Sequence, residues 1–310
     1  MSIMRRVLLT GAESVWLRER AMRTAFVRRS VSRFMPGETM DEALAASRRL
    51  ESAQGTGSIL THLGENLSSL SEAEAVTAHY LELLDRVHRD RLNAQVSVKL
   101  TQLGLDLGVE ECYRNLVSLV SRADAVGNMV WIDMESTKYV DPTLALYRRV
   151  RERSARTGVC LQSYLRRTAS DLEALLPLAP AIRLVKGAYR EPPELAFPKK
   201  ADVDENYFRL SSRFLDAGVR PGMFLGIGTH DATLIERLRP VAAAKGVGPD
   251  GYEFEMLYGI QRPLQARLTR EGLPLRVLIS YGEFWFPWYM RRLAERPANV
   301  LFVAKSLFAR

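Results

Sequence analysis

Short apolar runs rich in β-branched residues recur along the chain, and each is followed by a longer stretch whose apolar positions repeat at helical spacing. The runs predict strands at 58–63, 94–100, 129–134, 159–163, 181–185, 223–228, 252–256 and 275–280. The stretches between them predict helices, among them 71–90, 108–124, 142–157, 205–217 and 232–245. Successive strands lie about 31 residues apart, the length that a strand, a crossover helix and two loops consume. Strictly alternating βα units imply a parallel sheet, and strands apolar on both faces imply burial beneath helices. Eight units predict an α/β chain closed as a (β/α)8 barrel of the TIM type, with a doubly wound open sheet as the other topology the order allows. Ahead of the first strand, apolar residues at 3.6 spacing around Val15, Leu17, Met22, Phe26 and Val27 predict an amino-terminal helical extension, interrupted at Met35-Pro36-Gly37. The expected division is a helical arm over 1–45 packed on the barrel, and the catalytic barrel over 46–310.

In a parallel barrel the chemistry sits at the carboxyl ends of the strands. Polar groups fall there repeatedly: Lys99 after the second run, Asp133 and Glu135 after the third, Gln162 after the fourth and Lys186 after the fifth. Thr229 and His230 follow the sixth, Glu255 ends the seventh, and Tyr281 lies just past the eighth. One lysine or glutamine at a strand end is ordinarily a solvated residue. Groups at so many equivalent ends converge on one mouth if the sheet closes. The last unit reads YGEFWFPWYMRR from Tyr281, and Pro287 suits the first turn of a helix. Arg291 and Arg292 then stand early in that helix, where cations oppose the macrodipole, and Arg291 precedes Glu295 by four, the less favourable order for a pair. An anion held above the barrel by two guanidinium forks accounts for them better than helix stability does.

Composition narrows the chemistry. The net charge of +8, from 44 basic and 36 acidic residues, is spread along the chain without a dense block, so no nucleic-acid partner is expected. Cys112 and Cys160 form no C-x-x-C, the four histidines (His62, His79, His88, His230) show no metal spacing, and no metal site is expected. The absence of a long apolar run or a secretory h-region predicts a cytoplasmic protein, with peripheral contact to the inner face of the cell membrane as an extension of that reading. Gly226-Ile227-Gly228 lacks the third glycine of a nicotinamide fingerprint. Scattered strand-end groups suit a flavin better, while Lys99 or Lys186 would also suit a Schiff-base lyase of the aldolase kind, and a barrel that only binds an anion stays open.

Beyond these patterns, the segments VSVKLTQLG, WIDMES, LQSYL, RLVKGAYRE, FPKKADVDENY, GTHDA, FEMLYG and YGEFWFPWYMRRLAERPANV, in this order, resemble the proline dehydrogenase family in its monofunctional bacterial form. The resemblance implies a (β/α)8 barrel that binds FAD, oxidises L-proline to Δ1-pyrroline-5-carboxylate and passes electrons to a membrane quinone. A pyrroline-5-carboxylate (glutamate semialdehyde) dehydrogenase would then be a partner. Carried over by motif, Lys99, Arg291 and Arg292 would clamp the substrate carboxylate, with Asp133 as the anionic partner of Lys99 and Glu295 orienting Arg291. Tyr281, Leu257, Ala188 and Tyr189 would wall the pyrrolidine ring. Asp133, Met134, Gln162, Arg183, Lys186, Gly187, Ala188, Thr229 and His230 would contact the flavin. Trp288, beside Tyr289, stands where the family usually has a tyrosine three residues before the arginine pair, and so bears on the exclusion of larger substrates. His62 within LTHLGE is a further local variation.

Overall fold

A computed structural model describes residues 31–64, 67–218 and 220–286. Eight parallel strands close into a barrel in chain order: β1 (Gly57–His62), β2 (Ala94–Lys99), β3 (Val130–Asp133), β4 (Thr157–Gln162), β5 (Ala181–Val185), β6 (Phe224–Gly228), β7 (Tyr252–Leu257) and β8 (Leu275–Tyr281). The ring is shut by β8 against β1, in register from Gly57↔Arg276 to His62↔Tyr281. Closure removes both sheet edges and rules out the open doubly wound alternative.

Outside the ring lie α1 (Met40–Gln54), α2 (Leu70–Arg89), α3 (Val109–Val126), α4 (Val140–Arg151), α5 (Thr168–Leu175), α6 (Lys200–Asp216), α7 (Ala232–Ala244) and α8 (Arg262–Arg270). Their apolar stripes and the outward residues of the strands make one continuous core that runs from Leu44 and Leu83 to Tyr252 and Leu268. α1 starts at a capping box, in which Thr39 Oγ1 accepts from the Glu42 amide at 3.2 Å and Glu42 Oε2 accepts from the Thr39 amide at 3.0 Å. It then crosses residue 45 and packs over β1 and β8, with Ser47 and Ser58 hydroxyls 2.6 Å apart. The expected boundary at 45 therefore falls inside a helix that belongs to the barrel.

α4 ends six residues before the predicted helix end at 157. Its last side chain, Arg151, turns down to the carbonyls of Ala155, Thr157 and Gly222 and fastens the loop beneath β4, so these backbone groups find partners without more helix. α6 begins at Lys200, five residues before the predicted start, with Lys199 as its extended N-cap residue ahead of the apolar stripe.

Alternation along the strands sends every second residue into the lumen. The floor is apolar: Ile59, Trp131 and Ala181, with Met129, Phe224 and Leu278 against them. Trp131 donates its indole N–H to Gln95 Oε1 at 2.7 Å, and Gly158, its register partner on β4, leaves the space for its ring. A Cβ at Gly158 would lie 2.3 Å from the indole. Gly158→Ala is expected to lower unfolding stability by about 1–3 kcal/mol through overpacking, read from the denaturant midpoint, and an unchanged midpoint would contradict this filling of the floor.

At the β8–β1 seam the outward residues Tyr281 and His62 meet α2. Tyr281 Oη is 2.7 Å from His79 Nε2, and the His62 and His79 rings lie 4.6 Å apart. Burial first, then His79 and Lys99, pull the His62 imidazole from its ordinary 6.5 to about 4. The unfolded chain therefore binds this proton before the folded one does. Stability from the neutral ring is complete above about 6.5 and is lost as pH falls from 6.5 toward about 4. With its partial exposure the loss is roughly 1–2 kcal/mol, and His62→Gln should flatten that part of the stability–pH curve. An identical curve in the variant would remove His62 as its source.

Candidate active site

Above the Trp131 floor lies a charged layer centred on Arg183 of β5. Its guanidinium carbon stands 4.6 Å over the Trp131 ring, a cation–π contact. Arg183 Nε donates to Glu255 Oε2 of β7 at 2.5 Å, and Nη1 donates to Asp133 Oδ1 of β3 at 3.0 Å and to Ser97 Oγ of β2 at 2.9 Å. Ser97 Oγ in turn donates to Asp133 Oδ1 at 2.8 Å. The Cys160 thiol of β4, pushed up to about 12 mainly by burial, stays neutral and lies 3.7 Å from both Asp133 Oδ1 and Arg183 Nη1. Five strands thus converge on one guanidinium. The side chains of Arg183 and Glu255 are each 3% exposed and that of Asp133 19%.

Electrostatics follow from this enclosure. Burial works against the Arg183 charge, but Glu255, Cys160 and Asp133 more than offset it and hold the guanidinium above its ordinary value. Burial also drives the Glu255 carboxyl upward, Glu253 adds to the rise, and Arg183 opposes it. The two directions agree once Asp133 is counted: Arg183 keeps an anionic partner whether Glu255 is ionised or not. Beneath this layer a second pair, Arg276 Nε to Glu253 Oε1 at 3.0 Å, closes the foot of β7 and β8.

Above it is the mouth. Lys99 is in register with Asp133, one step above Ser97 on the lumen face of β2. Asp133 was expected to be the anionic partner of Lys99; its Oδ1 instead serves Arg183 and Ser97, because the guanidinium rises between strands at that height. The Gln162 amide donates to the Glu135 carbonyl at 2.8 Å, and the Glu135 carboxylate receives the Thr101 amide and hydroxyl at 3.2 and 2.7 Å, which ties the ends of β2, β3 and β4 together. Leu257 ends β7 on the lumen face, and its amide donates to His230 Nε2 at 3.4 Å. Thr229 stands between them, its amide bonded to the Glu255 carbonyl at 3.1 Å.

The loop after β5 carries Lys186, Gly187, Ala188 and Tyr189. Lys186 Nζ is held by Asp204 Oδ1 at 2.6 Å and Asp231 Oδ2 at 2.8 Å. Burial opposes the Asp231 charge, but Lys186 and Lys200 bring its carboxyl down to about 2. Gly187 has φ +111°, and a Cβ there would lie 2.1 Å from the Tyr164 ring, so the turn needs glycine.

Two expected contacts face elsewhere. Tyr281 follows Ser280 on β8 and turns outward to His79, 1% exposed, because the two-residue period gives the lumen to Arg276, Leu278 and Ser280. Met134 packs in the core between the barrel wall and the helices. Trp288, Arg291, Arg292 and Glu295 lie outside the described residues. The roles of Glu255, Ser97, Cys160 and Trp131 in one network were not read from the sequence, although each stands two residues from a candidate or two from its own lumen neighbour.

A cavity of about 740 Å³ opens at the opposite, amino-terminal end of the barrel, among Arg89, Arg91, Arg156 and Arg276. It lies at the wrong end of the strands for the chemistry, and its charges are partly spent: Arg276 on Glu253 and Asn93, Arg156 on the Gly127 carbonyl, and Arg89 on Asp90 at the carboxyl end of α2.

The family model for proline dehydrogenase matches residues 43–305. Proline dehydrogenase 2 of Bacillus subtilis subsp. natto is 36% identical over 278 residues, 90% of each chain, and the proline dehydrogenase of Deinococcus radiodurans is 36% identical over 312 residues, 98% of this chain and 97% of that one. In structure the barrel is similar to proline utilization A (PutA) from Bdellovibrio bacteriovorus inactivated by N-propargylglycine, with a TM-score of 0.82 at 23% identity. That likeness concerns the fold; it covers 96% of this chain and 36% of that protein. With the family model spanning residues 43–305 and relatives 36% identical over 90% or more of the chain, the chain belongs to the proline dehydrogenase family.

Proposed function

We propose that the chain oxidises L-proline to Δ1-pyrroline-5-carboxylate with FAD as hydride acceptor and hands the electrons to a membrane quinone. The observation that carries this reading is Arg183, a fully buried guanidinium fixed by two carboxylates whose Nη2 has no hydrogen-bond partner among the described residues. A buried donor without an acceptor costs about 1–3 kcal/mol, and a ligand with acceptor atoms along a flat edge recovers that cost. A flavin ring has such an edge, so the donor fits it. When bound, FAD would supply the acceptor for a hydride, which amino-acid side chains cannot provide.

Arg183 would meet the flavin from below, with Asp133 and Glu255 fixing its orientation. Gln162, Gly187, Ala188, Thr229 and His230 would hold it around the mouth. Gly187 suits close backbone approach, whereas engaging Lys186 would require its ion pair with Asp204 or Asp231 to open. Lys99, which has no ion pair among the described residues, would bind the proline carboxylate together with Arg291 and Arg292. Glu295 would steady Arg291, and Leu257, Ala188, Tyr189 and Trp288 would enclose the ring. The chain's main task is then to hold C5 at the hydride acceptor. Oxidation removes a hydride from C5 and one proton from the ring nitrogen, which is released at the mouth.

Among the described residues no helix is long and apolar enough to cross a membrane, so the proposed contact with a quinone is peripheral. The Escherichia coli relative, 26% identical, is named bifunctional protein PutA, and this chain matches 23% of its length. A pyrroline-5-carboxylate dehydrogenase would take up the product. The Schiff-base alternative loses ground because Lys186 sits between two carboxylates instead of facing the lumen as a nucleophile.

The purified protein is expected to show flavin absorbance that L-proline bleaches in the absence of oxygen. Lys99→Ala should raise the proline concentration for half-bleaching roughly 30-fold or more, equivalent to about 2 kcal/mol or more. A colourless protein, or a flavin that proline leaves oxidised, would overturn the reading, and borohydride trapping of a carbonyl substrate would then favour the lyase.

A further inference from the structure

In the lumen layer one guanidinium is shared by two carboxylates, with Lys99 one step above it in register with Asp133. Arg183 faces both Asp133 and Glu255, whereas the remaining acid of β7, Glu253, is matched by Arg276. Lys186 is already committed to Asp204 and Asp231. The groups that face Glu255 are therefore Arg183 from β5, Glu253 on its own strand, Arg276 from β8, Asp133 from β3, Cys160 from β4 and the Tyr207 hydroxyl from α6, which donates to the Leu184 carbonyl. Only Arg183 hydrogen-bonds to the Glu255 carboxyl among them.

The two carboxyl oxygens are unequal. Oε2 takes the short bond from Arg183 Nε, while Oε1 is buried with no hydrogen-bond partner among the described residues. Gly226 faces Oε1 and leaves it room, since a Cβ there would lie 2.2 Å away. Across the same guanidinium, Nη2 is equally buried and equally without a partner. Among the described residues an acceptor with no donor and a donor with no acceptor thus flank one buried cation. A buried carboxylate oxygen without a donor is costly, and the usual resolution is a proton.

We propose that Glu255 is a proton-exchanging positioning residue that acts through Arg183: protonated, it leaves the guanidinium free to face negative charge at the mouth; ionised, it draws the guanidinium's charge to itself. This rests on the flavin reading above. When hydride transfer adds negative charge at the mouth, Arg183 turns its field toward that charge and Glu255 takes up one proton. The O–H bond forms at Oε1 with the proton that the breaking N–H bond of the proline ring releases at the mouth; the two electrons travel only with the hydride. Burial of Glu255 favours the neutral form and so supports the exchange. The role differs from plain anchoring, because a glutamine keeps an acceptor for Arg183 Nε but cannot exchange the proton.

The test compares wild type with Glu255→Gln by infrared titration and by the flavin midpoint potential as a function of pH. The wild type is expected to show a protonated carboxyl that ionises above the ordinary carboxylate range, absent in the variant. Its potential–pH line should bend in the same range, while the variant's line stays straight and lies at higher potential on the alkaline side. Superimposable lines, or a Glu255 ionised throughout, would overturn the proposal. If no flavin is bound, the proposed function fails by itself, and the infrared signal still decides where the proton lies. If Glu255→Gln does not fold, wild-type protein with carbon-13-labelled glutamate carboxyls carries the decision: one resonance titrating above the ordinary range supports the exchange, and none overturns it.

Discussion

A single guanidinium held between two carboxylates inside a closed barrel sets the terms for everything near it. Arg183 carries its charge in the lumen between Asp133 and Glu255, and removing one side of a buried pair of this kind costs about 3–5 kcal/mol. The residues around it answer to that constraint. Trp131 offers its ring face to the cation from below, Ser97 fills the space between Arg183 and Asp133 with a hydroxyl that bonds both, and Gly158 and Gly226 make room for Trp131 and Glu255. Electrostatic stabilisation from fixed, dry charges of this sort is what an enzyme uses when charge moves during reaction.

Much of the architecture was readable as pattern. The strand runs at 94–100 and 181–185 differ from β2 and β5 by one residue or none, since apolar runs bounded by polar helical stretches leave little choice of register. The count of units pointed to closure, and the pairing of β8 with β1 decided it against the open sheet. Residue 45, set as the boundary, falls within α1, whose Ser47 meets Ser58 of β1; helical spacing does not show where along the chain that helix starts and stops.

The site was readable as a set of positions and less readable as a set of contacts. Strand-end polarity picked out Lys99, Asp133 and Arg183's neighbour Glu255, but not who pairs with whom: Asp133 serves Arg183 instead of Lys99 because pairing depends on heights around a sheared barrel, which one-dimensional spacing does not contain. Tyr281 misled for a simpler reason. It stands one residue past Ser280, and one residue reverses the face, so its hydroxyl meets His79 on α2 instead of the lumen. Lys186 looked available by position and is occupied by Asp204 and Asp231, acids that enter from α6 and the loop before α7.

The central claim is that the unpartnered nitrogen of Arg183 is the seat of a flavin edge below a carboxylate held at Lys99. An experimental structure of the flavin-loaded protein, soaked with a cyclic carboxylate that cannot be oxidised, tests this most directly. The account predicts a hydrogen bond from Arg183 Nη2 to the flavin ring, with the ligand carboxylate on the Lys99 ammonium. A flavin seated away from Arg183, or a carboxylate bound with Lys99 turned from it, would contradict the account.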